Sequence, residues 1–416
     1  MKKYPVIAFR ALLAATILVV ADDGSTAAEA APKRPALRVG PVVRSPMPKV
    51  NPAKPVLGDP LPGLSTDQLN LFIDGKDDFE NEEDVESGLG PIFNETSCVA
   101  CHASGATGGA SARNVTRFGR TTNGVFDPLE SLGGSLLQDH AILPAAAETI
   151  PAQANTIIHR NPTPLFGLGL IDAIPEAAIL QNVHKHPVDG VTGRPAMVTD
   201  VVSGQVKVGR FGWKNQHAVL LAFAADAYRN ELGITNRYFP TENAPNGDAT
   251  LLAKYDFVAD PEDAPATGLA DFEKVANFMK YLAPAPTKPL SVSAAAGRDL
   301  FGKAGCVICH VPSMMTGPSS EAAFNHRPVS LYSDLLLHNM GSLADGVSQG
   351  DATELEMRTA PLWGLQYSAP YLHDGRAATV DAAIMAHDGE GKVSRDRYAK
   401  FSAAQKKQLA DFLMSL

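Results

Sequence analysis

Two stretches of this 416-residue chain hold all four of its cysteines: Cys98-Val99-Ala100-Cys101-His102 and Cys306-Val307-Ile308-Cys309-His310. In each, two thiols stand three positions apart and a histidine directly follows the second. That spacing lets the thiols add across the two vinyl groups of one porphyrin while the adjoining imidazole becomes the proximal ligand of its iron. The same cysteines have blander uses, as one all-thiolate zinc site or as two redox-active dithiols. Neither explains a histidine after the second cysteine in both motifs, and a disulfide spanning two residues would staple almost nothing. The reading is therefore two covalent haem c groups, bound by Cys98, Cys101 and His102 and by Cys306, Cys309 and His310.

His102 and His310 fill one axial position on each iron, and whatever fills the other decides between electron transfer and bond-breaking chemistry. Nine further histidines compete. His338, His373 and His387 follow the second motif, as does His326, while His140, His159, His184, His186 and His217 lie between the two motifs. Taken singly, each is better read as a solvated or hydrogen-bonded histidine. Met340 and Met385 are also candidates, although methionine more often fills core space. Trp213 or Trp363 would serve as an electron relay between haems, against the plain alternative of a packed aromatic. Arg358 and Arg376 suit haem propionates, against ordinary surface pairing. Gly167-Leu168-Gly169 lacks the third glycine of a dinucleotide fingerprint and is set aside.

The elements that must position these groups follow from pattern and punctuation. Lys2, Lys3 and Arg10 precede an apolar run from Ala11 to Ala21, and Ala28 and Ala30 offer a small-residue cleavage site, which reads as a secretory signal peptide. That run is too short to span a bilayer, and no later segment is apolar enough, so the mature chain is expected to lack a membrane span. Residues 31–62 form a Pro-rich, basic tether. A helix capped at Ser65 or Thr66 carries Leu69, Phe72 and Ile73 toward Phe79. Further helices are expected over Pro175–Val183, Asn215–Glu231 and Leu269–Leu282, the last ending at Pro284, Pro286 and Pro289. After that strip a helix capped at Ser291 or Ser293 runs to Phe301, and another covers Ser402–Leu416. Each half thus reads helix, motif, loops, closing helix, with Gly75 and Phe79 paralleling Gly297 and Phe301. The expected plan is a signal peptide over 1–30, the tether over 31–62, an N-terminal haem c domain with a long insertion over 63–285, and a C-terminal cytochrome c-like haem domain over 286–416. The fold class is mostly α: two cytochrome c-like domains with long irregular loops, their haem edges sharing an interface.

The formal charge is −9, and residues 1–30 contribute nothing to it, since Asp22, Asp23 and Glu29 cancel the three basic residues. An acidic body without a basic stripe excludes nucleic acid as a natural partner. It favours a redox partner protein that presents lysines. Export agrees with the haem reading, since thioether attachment takes place outside the cytoplasm; the expected location is the periplasm or another exported compartment.

Gly88-Leu89-Gly90-Pro91 leading to the first motif, Gly209–Lys214, Tyr332–His338 and Leu372–Arg376 together resemble the di-haem oxidoreductase family, also described as peroxidase-like or thiol-oxidoreductase-like, from about Leu64 onward. Ala369-Pro370-Tyr371-Leu372-His373-Asp374-Gly375 is similar to a stretch of bacterial di-haem cytochrome c peroxidases. There the distal ligand lies fourteen residues beyond the motif histidine, which implies His387 here. The peroxidases usually have methionine at that place, and a His/His iron has the lower potential. No comparable ligand follows His102, so the resemblance implies an open first iron or one with a distant ligand. It implies an oxidoreductase in which electrons enter at the C-terminal haem and pass to an N-terminal haem that reduces peroxide or oxidises a small-molecule substrate. The alternatives are a two-haem electron carrier without its own catalysis and, more remotely, a redox-coupled binding module.

Overall fold

The first helix begins where its cap predicts: Gln68 N–H donates to Ser65 Oγ and Ser65 N–H donates to Gln68 Oε1, a reciprocal capping box. The same box recurs at Ser402 and Gln405 before the last helix. The computed structural model describes residues 56–260 and 268–416. The signal peptide expected over 1–30, and the tether as far as residue 55, lie outside the described residues.

Among the described residues ten α-helices occur: α1 (Thr66–Glu80), α2 (Leu168–Asp172), α3 (Glu176–Leu180), α4 (Leu220–Ala227), α5 (Ala249–Tyr255), α6 (Asp271–Tyr281), α7 (Val292–Ala304), α8 (Val380–Met385), α9 (Lys392–Ala399) and α10 (Ala403–Leu413). Helix is the larger share of regular structure, but twelve short strands accompany it, so the mostly α reading describes the frame around the two motifs rather than the whole. Val115–Thr122 pairs antiparallel with Val125–Asp127, Ser135–Leu136 and Thr156–Arg160 in a four-stranded sheet. Glycine, proline and asparagine turns fill the space between helices.

The frame is built twice. At Gly75 a methyl group would lie 2.0 Å from the Lys274 carbonyl oxygen, so α1 and α6 touch backbone to backbone there. At Gly297 it would lie 1.9 Å from the Gln408 carbonyl oxygen, and α7 meets α10 in the same way. Only glycine permits that approach. Close crossing brings Phe79 against Phe278 in the first pair and Phe301 against Phe412 in the second, with ring centroids 4.9 and 5.5 Å apart. Each first-named phenylalanine then stands beside a motif imidazole, Phe79 at 6.1 Å from His102 and Phe301 at 6.3 Å from His310.

A second repeated unit follows each motif. Phe211 bridges His217 just before α4, and Tyr371 bridges Ala377 just before α8. The helix expected over Asn215–Glu231 starts late, because Asn215 takes a left-handed turn that commits 215–219 to this bridge. It ends in a π-helical turn, Tyr228–Leu232, closed by Gly233.

Two departures concern the organisation along the chain. The last residues of the expected tether are packed, not extended: Pro60 bridges Leu282, and Leu61 N–H donates to the Tyr281 carbonyl at 2.7 Å. Apolar Leu61 is buried against the end of α6 and cannot act as a spacer. The larger core joins Phe72, Phe79 and Phe278 to Phe324, Leu331, Leu335 and Trp363, residues from both sides of the Pro-rich strip; a smaller core gathers Phe301, Tyr398, Leu409 and Phe412.

Candidate haem sites

Each Cys-x-x-Cys-His motif is wound into one tight turn. Cys101 and His102 N–H donate to the Cys98 carbonyl, and His310 N–H donates to that of Cys306. The turn turns both thiols and the imidazole toward one cavity. Cys98, Cys101 and His102 line a cavity with Phe79, Arg117 and Glu231. Cys306, Cys309 and His310 line another, open in part to solvent. All four thiols are unbridged. The four sulfurs do not converge on one point: among the described residues the sole three-donor cluster is Cys309, Asp334 and His338. A shared all-thiolate zinc site is therefore not assembled.

The imidazoles are held in one tautomer. His310 Nδ1 lies 2.9 Å from the Tyr332 carbonyl and His387 Nδ1 lies 2.9 Å from the Ala383 carbonyl. A carbonyl only accepts, so Nδ1 carries the proton and the Nε2 lone pair is left for a metal. His102 Nδ1 is tied likewise to the Gly109 carbonyl at 3.1 Å, with the Thr163 carbonyl also beside the ring. Burial pushes His102 and His310 down to about 4, which keeps both neutral, as a ligand must be. His387 lines the same cavity as His310, and burial lowers it too.

The surroundings fit a porphyrin carrying two carboxylates. Arg358 lines the second cavity; its Nη1 donates to the Arg210 carbonyl, while its buried Nε has no partner. Burial alone pushes this guanidinium down to about 10, the mark of a cation lacking its anion. Arg117 lines the first cavity with an unpartnered Nε and a pKa pushed down to about 10, chiefly by burial and by Arg160, against the opposing pull of Glu231, Asp226 and Asp345. Thiols, a neutral imidazole, a largely apolar wall and an unanswered cation are the donor set haem needs.

Other candidates separate cleanly. Trp213 lines both cavities, donating through Nε1 to the Asn161 carbonyl at 2.8 Å, whereas Trp363 packs into the larger core. Met340 faces the second cavity, while Met385 is exposed. Arg376 pairs with neighbouring Asp374 at the surface and lines neither cavity. His338 is buried between two carboxylates, Asp334 and Glu390. His217 bonds Asp226, and His140 stacks on Phe93. The residues that sequence reasoning missed are Arg117, Asn161, Glu231 and Ala227. The last had a signal: Ala227 follows Trp213 by the same fourteen residues that separate His387 from His373.

Residues 151–416 match the family described as "Di-haem oxidoreductase, putative peroxidase", and the chain belongs to that family. Among solved structures the chain is similar to hydrazine synthase of Kuenenia stuttgartiensis, at 15% identity and a TM-score of 0.40, covering 87% of this chain and 90% of that one. It is also similar to the diheme peroxidase BthA from Burkholderia thailandensis E264, at 14% identity, a TM-score of 0.39 and 89% of each chain. A MauG-like protein associated with microbial copper homeostasis matches at 16% identity and a TM-score of 0.30, over 66% of this chain and 94% of that one. No curated protein matches the chain. No helix among the described residues is long and apolar enough to cross a membrane.

Proposed function

We propose that this is an exported di-haem c-type oxidoreductase in which electrons enter at the C-terminal site and are used at the N-terminal one to reduce peroxide. Cys98 and Cys101, and Cys306 and Cys309, would hold the two haems by thioether bonds, with His102 and His310 as proximal ligands and His387 as the distal ligand of the second. When bound, haem supplies one-electron chemistry and, where an axial position is open, a place for a small oxidant.

The single observation that carries this reading is the contrast between His387 and Ala227. Both follow the same bridge-and-helix unit by the same spacing and both line a motif cavity, but alanine has no donor atom. With haem bound, His387 would close the second site, whereas Ala227 would leave the corresponding place in the first without a ligand. Reducing peroxide to water consumes two electrons and two protons, and the first cavity holds a group for the protons. Glu231, aimed in by the π-helical turn, accepts from Asn94 Nδ2 at 2.8 Å, and burial raises its pKa above the ordinary carboxyl range. Such turns recur at functional sites. Trp213, in contact with both cavities, is the through-protein route between them.

Mass spectrometry and spin-state measurements on the exported holoprotein test the proposal. The expected result is a mass increase of two haems, one low-spin and one high-spin ferric signal in the resting or half-reduced state, and conversion of the low-spin signal to high-spin in His387→Ala. Two low-spin haems would make the protein a carrier, and a bare polypeptide mass would end the haem reading.

A further inference from the structure

The segment Tyr332–His338 touches both sides of the second haem site. At one end the Tyr332 carbonyl holds His310 Nδ1, and Asp334 N–H donates to the Cys309 carbonyl at 2.9 Å. At the other end His338 Nδ1–H reaches Glu390 Oε2 at 2.7 Å, three residues beyond His387. His338 Nε2–H is held by Asp334 Oδ2 at 2.8 Å, and Cys309 Sγ lies 3.8 Å from Nδ1. Glu390 also accepts from Thr192 N–H, Thr192 Oγ1 and Gly193 N–H, at 3.0, 3.1 and 3.2 Å. Gly193 must be glycine here, since with φ at +64° a methyl group would lie 2.8 Å from His338 Cε1. Three chain segments therefore meet on one buried imidazole.

We infer that His338 is a positioning residue for the second haem, a brace that fixes the turn carrying distal His387 to the attachment motif carrying proximal His310. The inference rests on the His387 assignment made above. An imidazole with a carboxylate at each nitrogen carries both protons and so donates in two directions at once, whereas a neutral imidazole donates only once. Burial opposes its charge, but the hydrogen bonds to Asp334, Cys309 and Glu390 outweigh burial and hold it up to about 12. It thus stays charged across the physiological range. Without the brace, His387 would be kept in place by its own Nδ1 bond to the Ala383 carbonyl, by Arg395 Nη1 on its carbonyl and by Ser342 on Asp388.

The test compares holoprotein carrying His338→Ala, Glu390→Ala or Glu390→Gln with the unaltered protein. The readouts are CO binding to the reduced form, the spin state of the oxidised form and thermal unfolding. The unaltered protein should bind about one CO per chain, at the open first site. His338→Ala and Glu390→Ala should bind about two, with gain of a high-spin signal, because the second iron loses its firm distal ligand. Glu390→Gln keeps an acceptor for His338 and should stay near one. Glu390→Ala cuts the brace at the distal turn while leaving His338 in place, and it keeps the test open if His338→Ala fails to fold. Lower thermal stability with CO binding and spin state unchanged would overturn the brace alone. Two CO on the unaltered protein would overturn the His387 assignment and the brace with it.

Discussion

Trp213 stands edge-on to His373, ring centroids 6.2 Å apart and planes at 73°. Asn161 joins the two by backbone: its carbonyl accepts from Trp213 Nε1 and its N–H donates to the His373 carbonyl at 2.6 Å. The indole is thus fixed between the cavities by Asn161 and His373. Trp213→Ala should slow reduction of the first site through the second by roughly tenfold or more, about 1.4 kcal/mol on the barrier. Stopped-flow spectroscopy with each haem followed separately checks this, and both resting spectra should stay as they were. An unchanged rate would reduce Trp213 to packing.

Glu231→Gln removes the titrating group from the first cavity while keeping its size and the bond to Asn94. Peroxide turnover should fall by roughly 10²–10⁴-fold with the haem spectra intact. A carboxylate must be ionised before it can take a proton from peroxide, and burial raises its pKa. Activity of the unaltered protein should therefore fall as pH drops through that raised value. The variant should lose this acid limb.

Gly297→Ala and Gly75→Ala push a methyl group onto a backbone oxygen that cannot rotate away. Each should cost at least about 1–3 kcal/mol by overpacking and lower the melting temperature. Gly302, also in α7, has nothing within 4 Å of such a methyl group. Gly302→Ala should stabilise by about 0.5–1 kcal/mol, because alanine loses less backbone entropy in a helix. Calorimetry of the three variants should show opposite signs.

Glu242 gives stability a pH dependence of its own. Burial, with Asp260 and Asp256 nearby, raises it to about 8. In the unfolded chain it titrates near the ordinary carboxyl value, so between the two values the folded state binds the extra proton. Stability from this group is whole below the unfolded value and is lost as pH rises toward about 8. Glu242→Gln should flatten that decline in denaturant titrations made across this range. A slope left unchanged would remove Glu242 as its source.

The two Cys-x-x-Cys-His motifs were legible from residue order alone because the chemistry proposed for them is local: thioether spacing and an adjacent imidazole need only five consecutive residues. Capped helices at Ser65 and Ser402, and the glycine and phenylalanine parallels between the halves, were legible for the same reason. Cap and periodicity are properties of neighbours along the chain. His387 came from a resemblance, and its meeting with His310 in one cavity required the folded chain.

The tertiary structure decided everything that depends on what is buried beside what. Which tryptophan lies between the cavities, which arginine is left without an anion, and which histidine is locked between carboxylates are facts about distant segments brought together. Trp213 and Trp363, or Arg358 and Arg376, differ little in sequence context but differ fully in burial and partners. Loops set most of these contacts, and loops carry no periodic signal. For that reason Ala227, a residue without chemistry, gained its meaning only when it was found where the other half places His387.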